Sequence, residues 1–138
     1  MAIATWDDRF LLGFPDLDRD HRILFDLINQ LHDAYANGRG DERLDVVFSV
    51  LGDYVNTHFR REEDLLRTCQ YPRLVPHLAA HAVFSADVDD MFRRYRQNGN
   101  EKLVIELLAM LTNWWHFHVL EDDADYGHYI RDKTSVSG

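Results

Sequence analysis

A single cysteine, Cys69, stands among the 138 residues of this sequence. One cysteine cannot form a disulfide within its own chain, and it offers no CxxC metal site. Basic residues are also scarce, since 15 Lys and Arg face 24 Asp and Glu and leave a formal net charge of −9. This charge argues against nucleic acid and against an anionic membrane as partners, because both bind clustered Lys and Arg.

Long apolar runs are missing as well, and residues 1–8 lack the basic and apolar regions of a secretory signal. We therefore expect a cytoplasmic protein with no membrane partner. With 46% hydrophobic and 28% charged residues, the composition is that of a soluble globular protein. The length suits one domain with a sizeable core, so residues 1–138 are expected to form a single domain.

Short segments rich in Gly, Asn and Pro divide the chain at residues 37–41, 70–72 and 98–100. These helix stops and starts predict four helices, at about 18–37, 41–69, 73–97 and 100–122. Because the connections are short, the sequence predicts an all-α, antiparallel up-down-up-down four-helix bundle. The residues before the first helix are expected to form an ordered N-terminal arm, and the tail after about residue 131 to fray.

Each predicted helix carries a stripe at 3.6-residue spacing that should face the core. Every stripe is apolar at one end and turns to histidine or carboxylate at the other. On the second helix the apolar part consists of Leu44, Val47, Phe48, Leu51 and Val55, and Leu65 follows the polar part. The polar members of the four stripes are His21, His58 with Glu62, His77 with His81, and His118 with the acidic cluster that follows it.

In an antiparallel bundle these polar positions all fall at the same end. Taken singly, each has a structural explanation: a lone histidine on an apolar face is usually a hydrogen-bonded core residue, and His58 with Glu62 can form a surface helix pair. Buried unpaired polar groups cost about 1–3 kcal/mol each, and isolated carboxylates cost more. Five imidazoles and one or two carboxylates at one end therefore need a common partner, and the pattern predicts a metal site.

The donor types narrow the choice of metal. Imidazole suits Zn, Cu, Fe and Ni, whereas carboxylates favour harder ions. Five histidines with two carboxylates are too many for one tetrahedral zinc ion, but they fit two octahedral ions bridged by carboxylates, with one position left open. The sequence has no Glu-x-x-His pair, which counts against the ferritin-like oxidases and ferroxidases.

Here the residues resemble a known family. The segment 58–63, His-Phe-Arg-Arg-Glu-Glu, followed by Tyr71-Pro72 and by His77-x-x-x-His81, is similar to the signature of the hemerythrins. The family's spacing is also met upstream and downstream, at Trp6, Phe10, Gly13, Asp18, His21, Trp114, His118, Asp123 and Tyr126. The resemblance covers nearly the whole chain and implies an up-down helical bundle, the fold that myohemerythrin exemplifies among such bundles.

The resemblance implies a cofactor of two iron ions joined by an oxo or hydroxo bridge. One iron would be held by His77, His81 and His118. The other, which keeps an open position, would be held by His21 and His58. The bridging carboxylates would be Glu62 and Asp123, and the ligand pocket would be lined by Trp114 and Trp115. Three positions depart from the family pattern: Asp20 replaces a glutamine, Leu66 replaces a methionine, and Trp115 replaces a leucine.

The last helix poses a geometric problem. His118 and Asp123 are five residues apart, which places them about 140° out of line on a regular helix. Periodicity alone favours Asp122, whereas the resemblance selects Asp123. Both hold only if the helix widens into a π-type turn or ends between His118 and Asp123, so we predict such a feature there.

Site and resemblance together predict reversible dioxygen binding, for storage, delivery or sensing, and no enzyme, because the sequence shows no nucleophile–base arrangement. The alternative is a di-iron enzyme that acts on peroxide or nitric oxide at the same open iron. A third interpretation is an interaction module whose site senses oxygen or iron for an unidentified protein partner on a separate chain.

Overall fold

The computed structural model describes residues 6–98 and 101–137, and for residues 101 and 134–137 it describes the backbone only. Within this part of the chain every element of secondary structure is a helix, and four long helices follow one another along the chain. They are α1 (Pro15–Ala36), α2 (residues 44–68), α3 (Leu74–Asn98) and α4 (residues 101–137). Their short connections and mutual contacts make a four-helix bundle, which confirms the predicted fold class. The break expected at Gly99 lies outside the described residues.

The N-terminal arm is ordered over residues 6–14 and packs on the bundle. The indole of Trp6 meets the ring of Phe25 edge to face, with ring centroids 5.4 Å apart. The carboxylate of Asp18 accepts hydrogen bonds from the backbone N–H groups of Leu12 and Gly13, at 2.6 and 3.0 Å. Residues 6–14 are therefore held at both ends, which agrees with the ordered arm that the sequence predicts, and residues 1–5 of the arm lie outside the described residues.

Helix α4 is longer than predicted. The expected end at residue 122 and the frayed tail after residue 131 are both wrong, because the helix continues to Ser137. The extra turns bury Tyr126 in a second small core with Leu12, Leu17 and Leu66. Contacts between this core and the N-terminal arm stabilise a segment whose own sequence carries a weak helical pattern.

The expectation of no membrane-length apolar segment needs correction. By length and composition alone, the helical stretch Lys102–Lys133 is apolar enough to cross a membrane. Its leucines at 103, 107 and 111 are at most 2% exposed in the bundle core. A helix that supplies this much of a core is apolar for that reason, so the composition has a structural explanation.

Two of the four helices contain π-helical segments. In α2 the segment is Tyr54–His58, between the α-helical parts Leu44–Asp53 and Phe59–Thr68. In α4 it is Trp114–Asp123, between Glu101–Asn113 and Ala124–Ser137. The π turn predicted between His118 and Asp123 is therefore confirmed, and it forms part of a longer π segment.

Candidate metal centre

The predicted donor residues lie together at one end of the bundle, and none of them is more than 5% exposed. They are His21, His58, Glu62, His77, His81, His118 and Asp123. Helix direction brings them together: His21 and the pair His77/His81 open α1 and α3, whereas the others lie in the second halves of α2 and α4.

The donor atoms form two groups, and within each group they lie within 4.8 Å of one another. The first group contains Glu62, His77, His81 and His118, and the second contains His21, His58, Glu62 and Asp123. Each set is what a metal ion needs in a protein, namely several imidazole nitrogens and a carboxylate converging on one point. Two adjacent metal positions follow from this arrangement.

Glu62 and Asp123 extend between the two groups. The Oε1 atom of Glu62 lies 2.8 Å from His77 Nε2 and 3.0 Å from His81 Nε2, while its Oε2 atom lies 3.2 Å from His58 Nε2. Asp123 repeats the pattern, with Oδ1 3.1 Å from His118 Nε2 and Oδ2 3.1 Å from His21 Nε2. Each carboxylate thus presents one oxygen to each group, which is the geometry of a bridging ligand.

The π segment of α4 decides between the neighbouring aspartates. Asp123 is completely buried between the two groups, whereas the side chain of Asp122 is 54% exposed. Asp122 instead accepts a hydrogen bond from His118 Nδ1 at 3.1 Å. Asp122, at i+4 from His118, is thus a hydrogen-bond partner on the outer side of the imidazole. The widened π turn brings Asp123 to the centre.

Two further imidazoles have carboxylate partners on their outer nitrogens. His58 Nδ1 donates to Asp20 at 3.0 Å, and His81 Nδ1 donates to Glu63 at 2.8 Å. A carboxylate only accepts, so in the neutral imidazole these contacts place the ring proton on Nδ1 and leave the Nε2 lone pair facing the centre. Sequence reasoning missed this role for Asp20, Glu63 and Asp122; the i,i+4 spacing of His118 and Asp122 was the only signal available for it.

The Nε2 atoms of His81 and His118 lie 3.2 Å apart. In the neutral imidazoles each ring proton is committed to an outer carboxylate, so both Nε2 atoms then direct lone pairs at each other. In addition, the buried Nε2 atoms of His21 and His58 and both oxygens of Asp123 have no hydrogen-bond partner. A donor set of this kind is stable only around cations, so the residues present fit a pair of metal ions.

The electrostatics lead to the same conclusion. Burial opposes ionisation of Glu62, but the neighbouring imidazoles of His58, His77 and His81 outweigh it and hold the pKa of Glu62 well below its usual range. Burial likewise opposes charge on the histidines, yet the surrounding carboxylates raise the pKa of His58 to about 9 and that of His77 to about 10. The centre therefore attracts positive charge, which two metal ions would supply.

Aromatic rings cover the donor groups. Tyr54 stacks on His58 with ring centroids 4.6 Å apart, and Phe59 stacks on His81 at 3.8 Å. Trp114 stacks on His118 at 3.9 Å, and Trp115 meets the His21 ring edge to face at 6.4 Å. Both tryptophans lie against the donor groups, and their place in a ligand pocket stays a prediction. Sequence reasoning missed Tyr54 and Phe59 because neither lies on the regular stripe.

Comparison with known proteins bears on this geometry. Residues 12–130 match the family model of Hemerythrin, described as the Hemerythrin HHE cation binding domain. The bacteriohemerythrin of Stenotrophomonas maltophilia is 30% identical over 131 residues, covering 95% of this chain and 84% of that protein. The bacteriohemerythrin of Pseudomonas aeruginosa is 31% identical over 135 residues, covering 98% and 86%. Myohemerythrin-1 of Phascolopsis gouldii is 32% identical over 83 residues, covering 59% and 63%.

The matched segment contains all seven buried donor residues and both π segments. The cofactor that belongs to such a domain is a di-iron centre, and the two converging donor groups suit it in number and in donor type. The chain belongs to the hemerythrin family.

Proposed function

We propose that this protein binds dioxygen reversibly at its di-iron centre, in storage, delivery or sensing of the gas. The observation that carries the proposal is the inequality of the two donor groups. Besides the shared carboxylates, one group offers three imidazoles and the other offers two. With equal coordination numbers, the two-histidine group has one position fewer filled by protein, and a small molecule can occupy it.

The proposed ligand assignment follows the contacts within the two donor groups. His77, His81 and His118 would hold one ion, His21 and His58 would hold the other, and Glu62 and Asp123 would be shared by both. When bound, the iron pair supplies the electrons that reversible dioxygen binding needs. The protein's own part is to fix the positions of the imidazoles through Asp20, Glu63 and Asp122.

The surroundings of the two-histidine group support a binding role. Trp115 is 3% exposed and joins Trp6, Phe10 and Phe25 in an aromatic cluster beside His21. Such a cluster keeps water from the donor groups and offers no acid or base for catalysis. A protein that only takes up and releases a small molecule needs no more than this.

The visible spectrum tests the proposal. Protein reconstituted with Fe(II) without air should contain two iron atoms per chain, gain new absorption on exposure to air, and lose it again under argon. The cycle should repeat several times without loss of iron. One zinc ion per chain after iron-rich expression would contradict the proposal, and steady turnover of peroxide or nitric oxide would favour the enzyme alternative.

A further inference from the structure

Tyr54 is a buried phenol beside the donor groups with no part in holding them. It opens the π segment of α2, and it is 5% exposed. Its ring lies parallel to the His58 imidazole, with an interplanar angle of 9°. His58 belongs to the two-histidine group, so the phenol covers the side of the centre at which the proposed function places a small ligand.

The hydroxyl of Tyr54 is held in place by Trp114. The indole Nε1–H of Trp114 donates to the Tyr54 hydroxyl oxygen at 3.1 Å. Trp114 itself is stacked on His118, with an interplanar angle of 15°. The hydroxyl therefore lies between a ring that covers one donor group and a ring that covers the other.

An indole N–H donates and does not accept, so this contact uses a lone pair of Tyr54 and leaves its own O–H to point elsewhere. In the part of the chain that the structure describes, Tyr54 has no second hydrogen-bond partner. Tyr126, another buried tyrosine at the centre, donates to Glu62 Oε2 at 2.9 Å. Buried hydroxyl donors are costly when unpaired, so the O–H of Tyr54 is suited to an acceptor that arrives with a ligand.

A cavity also reaches this side of the centre. A cavity of about 430 Å³ between α1 and α2 is lined by Leu24, Tyr54 and His58. It gives a molecule of a few atoms access to the rings of Tyr54 and His58 from the surface.

We infer that the Tyr54 hydroxyl donates a hydrogen bond to the small ligand taken up beside His58, with Trp114 as its positioning residue. This inference rests on the proposed function. It names the class of ligand that is favoured: molecules such as dioxygen and azide, whose terminal atom accepts a hydrogen bond when bound. A site that has such a donor discriminates against ligands that lack an acceptor.

The first experiment compares Tyr54→Phe with wild type, and Tyr95→Phe is the matched control. Tyr95 donates to Asp45 at the far end of the bundle, so its variant loses a hydroxyl without touching the centre. With two iron atoms retained, Tyr54→Phe should bind azide about tenfold more weakly and release dioxygen about tenfold faster. The azide stretching frequency should shift in deuterated water for wild type, and this shift should shrink in Tyr54→Phe.

Trp114→Phe provides a second, independent variant. It keeps a ring at the position but leaves the Tyr54 hydroxyl unheld, so azide affinity should fall, and adding Tyr54→Phe should lower it little further. An azide affinity within twofold of wild type in Tyr54→Phe would overturn the inference. Loss of iron from Tyr54→Phe would also overturn it, because the hydroxyl would then be needed to hold the donor groups themselves and not an incoming ligand. A wild-type protein that holds two irons and takes up no dioxygen would instead refute the proposed function, and azide binding would still test Tyr54.

Discussion

At one end of the bundle the helices meet through leucines, and at the other end the same helices meet through imidazoles and carboxylates. Leu31, Leu44 and Leu107 are completely buried, and so are Glu62 and Asp123. Burial is thus equal at both ends, while its free energy is not. Burying a leucine is favourable by itself, by about 1.5–3 kcal/mol, whereas burying a carboxylate is unfavourable unless an opposite charge meets it.

The backbone conformation also differs between the leucine end and the donor end. Around the leucines, α2 and α4 are regular α-helices, Leu44–Asp53 and Glu101–Asn113. Both π segments in the described residues contain or border on donor residues. Because π turns are rare and recur at functional sites, their position shows that the donor end is shaped for its ions and the leucine end for packing.

The largest expected effect comes from Glu62→Gln, which keeps the size of the side chain but removes the charge shared by both donor groups. We expect iron to fall from two atoms per chain to fewer than about one. Iron should raise the melting temperature of wild type, by a linkage worth about 2.7 kcal/mol at 100 times the dissociation constant. The melting temperature of Glu62→Gln should be nearly independent of iron. Elemental analysis and calorimetry measure both effects.

Leu107→Ala is the matched change at the other end. It should lower the free energy of unfolding by about 2–5 kcal/mol, because it opens a cavity in a close-packed core. Iron content should stay at two atoms per chain. If Leu107→Ala lost its iron, or if Glu62→Gln kept two irons, the two ends would not be separable in this way.

The same contrast explains what the sequence could predict. Helices α1 and α3 contain no π segment, and their predicted donor positions, His21, His77 and His81, are buried as expected. In α2 the stripe includes Val55 and Leu65, whereas the structure buries Tyr54 and Leu66 instead. A prediction from a 3.6-residue repeat takes no account of a widened turn. The error in the predicted buried positions of α2 therefore begins where the π segment begins.

The outer partners of the histidines were beyond sequence reasoning for another reason. Asp20 reaches His58 from a different helix, and Glu63 reaches His81 in the same way. Contacts between helices depend on how the helices are rotated and aligned, which no spacing within one helix reveals. The five histidines and Glu62 were predictable because they share one end, and few arrangements satisfy so many buried polar groups. Asp123 was selected by the family resemblance, because periodicity alone favours Asp122.

Asp20→Asn sharpens the comparison within the donor end, with Asp122→Asn as its counterpart. Asparagine still accepts the hydrogen bond from His58 but no longer carries the charge that makes the imidazole a better donor. We expect about a 10- to 100-fold loss of affinity for the metal ion at His21 and His58 in Asp20→Asn. Asp122→Asn should instead weaken the site that contains His118. Stepwise titration of the metal-free protein with Co(II) distinguishes the two sites, and equal losses at both sites in each variant would contradict the assignment.

The smallest expected effect concerns Trp115, the residue at the border of the two ends. Its indole contacts Phe25 of the apolar core, with ring centroids 5.2 Å apart, and the edge of His21 in the donor group, at 6.4 Å. We expect the indole to fill the space through which water or dioxygen would approach His21, and a leucine side chain in its place would leave more room. Trp115→Leu should therefore speed dioxygen binding, dioxygen release and autoxidation, each by more than about threefold, while iron content stays at two. Stopped-flow mixing and the decay of the oxygenated spectrum measure these rates.

Rates within twofold of wild type, a barrier difference of about 0.4 kcal/mol, would mean that Trp115 only packs against the core. The variant would then still unfold at a lower temperature, because buried aromatic area is lost whichever role the indole has.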